Sequence, residues 1–265
     1  MHREKRRFGQ DPANVVRSSD RTFYAPLGWH EPRYIFACSW GDFFHPAADE
    51  WRPDAWDVIR RCPQHTWLIL TKRPELVAAR LPEGWPWPHV GLGITAENQR
   101  RFDERAPEIL AIPAALHFVS HEPLLGLINT ALEDDVARRL AALGYLGRFR
   151  WYIAGGESGP NARPTNPDWV RYLRDQARAV GAFFNFKQWG EWRRPDGLSE
   201  ESYYFIERLE DGSTGGRIPE DSAARNRLLA YVAGVGTFVR VGKKRAGRLL
   251  DNEIWDERPP PLGKR

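Results

Sequence analysis

The chain has 265 residues, 42% hydrophobic and 28% charged, with two cysteines and a net charge of +4; this ordinary globular balance excludes global disorder. No run approaches the roughly 18 apolar residues that a membrane span needs, and the basic opening MHREKRRFGQ has no apolar stretch behind it, so a cytoplasmic protein with no membrane partner is expected. Cys38 and Cys62 are too few for a disulfide scaffold or a four-cysteine metal site and read as buried thiols.

Residues 1–33 carry no strong element and read as a basic arm. Six short, nearly continuous apolar runs follow: YIFAC from Tyr34, WLIL from Trp67, VGLGI from Val90, LHFV from Leu116, WYIAGG from Trp151 and FFNF from Phe183. Such runs suit strands buried on both faces of a parallel sheet. Between them, mixed periodicity predicts helices over 52–61, 74–81, 97–110, 132–143 and 167–180. Asn166-Pro167-Asp168 supplies a cap and a first-turn proline, Pro74 stands where its missing N–H costs nothing, and Gly181 closes the last helix.

Strand starts lie about 23 to 35 residues apart, the spacing of βα units. A doubly wound sheet and a barrel both fit this spacing, but no GxGxxG follows the first strand, so the Rossmann reading loses its marker. The expected fold is therefore α/β, a partial (β/α) barrel over 34–195. A C-terminal extension over 196–265 follows, in which SYYFIERLEDGSTGG reads as strand and turn and TFVRVGKKRAGRLLDNEIWDERPPP as a β-hairpin with a proline-rich tail.

Ligands of parallel α/β folds bind past the C-terminal ends of the strands, where this chain places SWGDFFH, TKRP, TAEN, SHEP, ESG and KQWGEW. Turns and caps account for Asp42, Pro74, Asn98 and Pro123. They do not account for Lys72, Glu122, Glu157 and Lys187, whose charges are expected at one shared mouth; rim salt bridges are the alternative. GGESG is the most specific local signal, since two glycines let backbone N–H groups approach a ligand while Glu157 accepts from it. His121 has acid–base chemistry, although strand alternation allows only one of His121 and Glu122 to face the mouth. Glu122 with Glu157 or Glu191 also resembles the two-carboxylate layout of retaining glycosidases, which needs the carboxyls roughly 5 Å apart. No metal-ligand spacing, nucleophile elbow or P-loop is present. Basic clusters at both ends, Arg3, Lys5, Arg6 and Arg7 and then Lys243, Lys244 and Arg245, suit a phosphate backbone or simply solvent. Trp40, Trp189 and Trp192 follow strands where a flat ligand could stack, although core packing is the expected role of most of the tryptophans.

The ordered series CSWGDFFH, LTKRP, GLGITAEN, FVSHEPLLG, AGGESGPNARPTNPDWVRYLRDQ, FFNFKQWGEW and RVGKKRAGRLLD, from about Arg7 to Pro259, resembles an uncharacterised family of phage and bacterial proteins that are themselves similar to radical S-adenosylmethionine (SAM) enzymes. The resemblance implies a TIM-like partial barrel in which a three-cysteine loop holds a [4Fe–4S] cluster and SAM is split to a hydrogen-abstracting radical. Carried over, Lys72, Glu122 and Lys187 would be catalytic, and Thr71, Ser120, Gly155, Gly156, Glu157 and Ser158 would bind SAM. In that family the cysteine loop lies upstream of the segment aligned with MHREKRRFGQDP, so either Met1 is internal to a longer reading frame or this member has lost the cluster. The expected function is thus a radical-SAM-like protein, truncated or cluster-less, with an unknown substrate that the basic ends suggest is a nucleic-acid component. A cluster-free nucleic-acid-binding protein is the alternative, and a barrel glycosidase the third reading.

Overall fold

In a computed structural model of the chain, the described residues are 15–39, 41–132, 138, 142, 148–193, 203–208, 214–215, 229–232 and 236–263. All six apolar runs form strands: β1 (Tyr34–Ala37), β2 (Thr66–Thr71), β3 (Val90–Thr95), β4 (Leu116–His121), β5 (Trp151–Gly155) and β6 (Phe183–Gln188). They stand in the sheet in chain order, with β1–β2, β4–β5 and β5–β6 pairing in parallel. A doubly wound sheet reverses its order at a switch point; this sheet does not, which leaves the barrel-type order of the two that the spacing allowed.

Helices α2 (Arg52–Arg61), α3 (Gln99–Leu110) and α4 (Pro167–Ala179) follow β1, β3 and β5; α1 (Asp20–Phe23) precedes the sheet. Asn98 and Asn166 cap α3 and α4, their side chains accepting from the Arg101 and Asp168 N–H groups at 3.0 and 2.8 Å. The helix expected over 74–81 is instead two 3-10 turns, Pro74–Leu76 and Ala78–Arg80. Pro74 removes one donor at the start, and Pro82 drives Leu81 into extended backbone at ψ 149°, so the segment is cut at both ends and settles into short turns. Most of the helix expected over 132–143 lies outside the described residues.

The contacts divide the chain into two compact units. The first comprises 1–92, 113–116 and 261–265, and the second 93–112 and 117–260. In the first, Phe43 meets both Phe44 and Trp56 edge to face, and Ile69 and Val77 are fully buried. The arm is not featureless there: a 3-10 turn at Ala25–Gly28 follows α1, Cys62 donates its thiol to the Pro26 carbonyl, and Gln64 donates to the Trp29 carbonyl at 2.9 Å.

In the second unit, β4–β6 have unlike faces. His121, Tyr152, Phe184 and Phe186 are buried on one, where Phe102 of α3 meets His121 and the buried side of α4 (Val170, Leu173, Ala177) packs on β5 and β6. On the other, Ile153, Phe183 and Asn185 are half-buried and Lys187 is exposed. The chain then enters a five-stranded sheet in the order β7 (Trp192–Arg193), β11 (Gly236–Arg240), β10 (Leu229–Val232), β8 (Tyr203–Arg208), β9 (Thr214–Gly215). Helix α5 (Lys243–Ala246) leads to a hairpin, β12 (Leu249–Leu250) and β13 (Glu253–Ile254). Its Asp251-Asn252 turn takes φ 55° and 65°, as a tight hairpin twisted with its strands requires. The expected hairpin is therefore present, as β12–β13.

After β13 the chain runs antiparallel beside β6. Asn185 bridges Asp256, the Phe186 N–H donates to the Trp255 carbonyl at 2.7 Å, and the Phe184 N–H donates to the Glu257 carboxylate at 2.9 Å. This covers the backbone of the last parallel strand, which would otherwise be a template for unwanted pairing. Among the described residues no helix is long and apolar enough to cross a membrane.

Candidate functional site

The ends of β4, β5 and β6 converge on Glu122. Its Oε2 lies 2.8 Å from Lys187 Nζ, and its Oε1 accepts from Gln188 Nε2 at 3.0 Å. Adjacent strand residues should point to opposite faces, yet both Lys187 and Gln188 reach this one carboxylate. The reason is a β-bulge: Ala154 pairs with Phe186, but Gly155 pairs with Gln188, so Lys187 is the extra residue. Gly155 makes room, since a Cβ there would sit 3.2 Å from the Glu122 side chain. The Glu122–Lys187 pair, 22% and 55% exposed, is too wet to contribute more than about 0–1 kcal/mol to stability. It can therefore exchange partners with a ligand at little cost. Ser120, buried at 6%, sits one residue before His121 in a row with Ile153 and Asn185 across the half-open face.

Gly156 and Gly190 have a different task. Here the turn after β5 crosses the turn after β6 backbone to backbone: a Cβ on Gly156 would lie 2.0 Å from the Trp189 carbonyl oxygen, and one on Gly190, at φ 81°, would lie 1.9 Å from the Glu157 carbonyl oxygen. Gln188 stitches the crossing, donating to the Gly156 carbonyl at 2.7 Å and accepting from the Gly190 N–H. The close backbone approach that GGESG signals is thus used by the chain itself. Glu157 accepts from the Arg163 backbone and guanidinium at 2.8 to 3.0 Å and so closes the GPNAR loop. Glu191 accepts from the Gly159 N–H at 3.0 Å. Ser158 is exposed beside them. Gln188 and Arg163 were not singled out in the sequence; only the bulge register and the folded loop reveal their partners.

Thr71 and Lys72 belong to the first unit, at the end of β2, and are organised by Asp42. This carboxylate accepts from the Phe44 N–H at 3.0 Å, Thr71 Oγ1 at 2.8 Å, the Lys72 N–H at 3.0 Å and Arg73 Nη1 at 2.9 Å. The Lys72 side chain is exposed. Asp42 holds the loop after β1 against the end of β2, which extends the turn role its position suggested. Asp42→Ala strands four donors, one of them a guanidinium, and is expected to cost about 3 kcal/mol, read as a lowered urea midpoint with unchanged slope. Arg52, 6% exposed, latches the same loop through the Phe43 and His45 carbonyls at 3.1 and 2.9 Å and through Asp49. A cavity of about 870 Å3 in this unit is walled by Trp56, Trp87, Leu81 and Pro82, with Arg52 and Arg80 both tied to Asp49 on its rim.

His121 points away from Glu122 into the core. Its Nδ1 hydrogen-bonds the Ala96 carbonyl at 2.7 Å, and burial between Phe102 and Tyr152 pushes its pKa down to about 4. Alternation admitted one of the two neighbours to the strand-end cluster, and it is Glu122.

The profile of a family described as "protein of unknown function (DUF5131)" matches residues 1–259. The chain belongs to that family. No curated protein and no solved structure gives a match. Family membership over nearly the whole chain agrees with the ordered motifs, while the fold and the sites of this DUF5131 protein rest on its own residues.

The residues present do not fit a cubane iron–sulfur cluster. Three thiolates must converge on one. Cys38 is exposed after β1, contrary to the buried thiol expected, whereas Cys62 is buried against Pro26; among the described residues no three metal-ligating side chains gather. The basic residues Arg3, Lys5, Arg6 and Arg7 lie outside the described residues, as does Trp40.

Proposed function

We propose that this DUF5131 protein is a radical-SAM-like, TIM-like barrel protein whose second-unit site binds SAM through its amino-acid end. The observation that carries the reading is the Glu122–Lys187 pair: a solvent-reachable carboxylate and ammonium 2.8 Å apart, at the ends of two parallel strands. An α-amino acid zwitterion carries the complementary charges, so its ammonium takes Glu122 and its carboxylate takes Lys187, each charge-assisted. Gln188 fixes the Glu122 carboxylate from the buried side, which leaves the outer lone pairs for the ligand. Ser120 and the exposed Ser158 line the same strand ends, and Gly155 keeps the space beside Glu122 clear. The family resemblance supports SAM as the zwitterion. A resident cluster would supply electrons for its cleavage, but Cys38 and Cys62 form no ligand set for one.

Isothermal titration of SAM against the intact chain tests this. Binding is expected, weakened about tenfold or more by Glu122→Gln or Lys187→Met, since one charge-assisted bond is worth roughly 1.5–3 kcal/mol. 5′-Deoxyadenosine, which lacks the zwitterion, should be indifferent to both substitutions. Absence of SAM binding to the wild type, or equal affinity in both variants, would overturn the reading.

A further inference from the structure

The VGKKRAG segment folds onto the rim of the same strand ends. The Val241 and Gly242 N–H groups donate to the Glu191 carbonyl at 2.9 and 3.0 Å, the Trp189 N–H donates to the Gly247 carbonyl at 3.2 Å, and Trp189 Nε1 donates to the Leu249 carbonyl at 2.8 Å. Glu191 in turn donates its N–H to the Glu157 carbonyl at 3.1 Å. Gly242 and Gly247, at φ 84° and 74°, bracket α5 and bend the chain sharply on either side of it. Ala246 is buried, so Lys243, Lys244 and Arg245 are left exposed on one short turn.

Their neighbours are neutralised. Lys187 is paired with Glu122, Arg240 donates to the Gly159 carbonyl and faces Glu191, and Arg248 lies 3.3 Å from Asp256. No carboxylate of the described residues pairs with Lys243, Lys244 or Arg245. Three successive cations on a turn that the fold pins down are held against their mutual repulsion, and a row of anions would relieve it. Beside them Trp189 is half-buried and held in one orientation by its Nε1 bond and by Phe186, edge to face at 4.5 Å.

We propose that α5 is a phosphate clamp and that the strand-end site acts on a single-stranded polynucleotide, whose backbone Lys243, Lys244 and Arg245 hold while an unstacked base lies on Trp189. Cations beside an aromatic platform are what sequence-tolerant single-strand binding uses. An anionic bilayer fits less well. Leu249 and Ile254 are exposed and face each other across β12–β13, but Glu253 pairs with Leu250 in that hairpin and Asp256 follows it, setting negative charge where the lipid headgroups would lie. The clamp itself does not depend on the SAM reading, because its anchors and its charges are independent of the Glu122–Lys187 pair; that the strand-end site acts on the bound strand rests on that reading.

Fluorescence anisotropy with a labelled oligo-dT, titrated between about 50 and about 200 mM salt, tests the clamp. The wild type should bind with a slope of log K against log salt near −2, from roughly 0.7 per phosphate over three phosphates. The triple variant K243E/K244E/R245E should lose at least about tenfold in affinity and nearly all of the slope, with its circular dichroism melt unchanged; K243Q/K244Q/R245Q replaces it if the acidic triple fails to fold. Trp189→Leu should weaken binding about tenfold and leave the slope intact, since it removes the stacked base and no charge. A wild type that ignores the oligonucleotide, a triple variant that binds with the same slope, or a preference for phosphatidylserine vesicles over the oligonucleotide overturns the proposal. Oligonucleotide binding without SAM binding would leave the clamp standing and remove the SAM reading, and the converse result would do the reverse.

Discussion

Gly190→Ala is expected to lower the stability by about 2–5 kcal/mol, a large part of the roughly 5–15 kcal/mol that holds a domain together. Two costs add. A β-carbon at φ 81° carries about 1–2 kcal/mol of left-handed strain, and one placed 1.9 Å from the Glu157 carbonyl oxygen must displace backbone, at about 1–3 kcal/mol or more. Gly156→Ala should come close to it, since its β-carbon would meet the Trp189 carbonyl at 2.0 Å. Neither obstacle is a flexible side chain that can swing away. Gly28→Ala is the control, having open space and no positive φ, and should shift the urea midpoint by no more than about 0.5 kcal/mol. Midpoints for Gly156→Ala or Gly190→Ala within that same margin would show that the two turns do not cross as described. Because Gln188 both stitches the crossing and holds Glu122, and Trp189 lies within it, partial unfolding there should weaken SAM and oligonucleotide together, unlike the separate losses expected from Lys187→Met and from the clamp variants.

Acidification should destabilise the protein well above the range of its carboxylates. Burial lowers the pKa of His65, His89, His117 and His121, the last to about 4. A histidine depressed in the folded state and ordinary near 6.5 in the unfolded chain makes the unfolded state bind more protons between those values. Stability is then complete above pH 6.5, falls as pH drops through that window, and stops falling on this account below the folded value. For His121 the window spans 6.5 to about 4 and is worth about 3 kcal/mol in all. Carboxylates act lower: Asp49 is held at about 2 by Arg80 and Arg52, so its contribution fades only below 3.8. Urea midpoints measured from pH 7.5 to 4.5 should therefore decline steadily. His121→Phe should be less stable at pH 7.5, having lost the bond to the Ala96 carbonyl, yet should show a shallower decline, by up to one proton or about 1.4 kcal/mol per pH unit. An identical pH slope in that variant would mean that His121 is not the buried neutral group described.

Much of this could be read from the chain alone, for a local reason. Parallel strands buried on both faces must be nearly continuous in apolar residues, so all six announced themselves, and caps such as Asn98 and Asn166 act within three residues of their own position. Where expectation failed, the cause was also local but competing: at 74–81 the second proline outweighed the helical pattern. Cys38 closes an apolar run and so reads as a core thiol, but the chain turns at that residue, at φ 58°, and leaves it exposed.

The functional residues divide the same way. Composition and position alone set Lys72, Glu122, Glu157 and Lys187 at strand ends, because a parallel sheet sends every strand's C-terminus to one side. Tertiary structure decided their partners. Glu122 meets Lys187 and Gln188 through a one-residue bulge, Glu157 is taken up by Arg163, and Thr71 and the Lys72 backbone are taken up by Asp42. A bulge is a register difference between two strands, and register belongs to a pair of strands rather than to either sequence. The two glycines of GGESG tell the same story: the sequence by itself determined that a backbone must come close there, and only the folded chain decided that the visitor is the Trp189–Gly190 backbone, because no local pattern records which distant segment will cross.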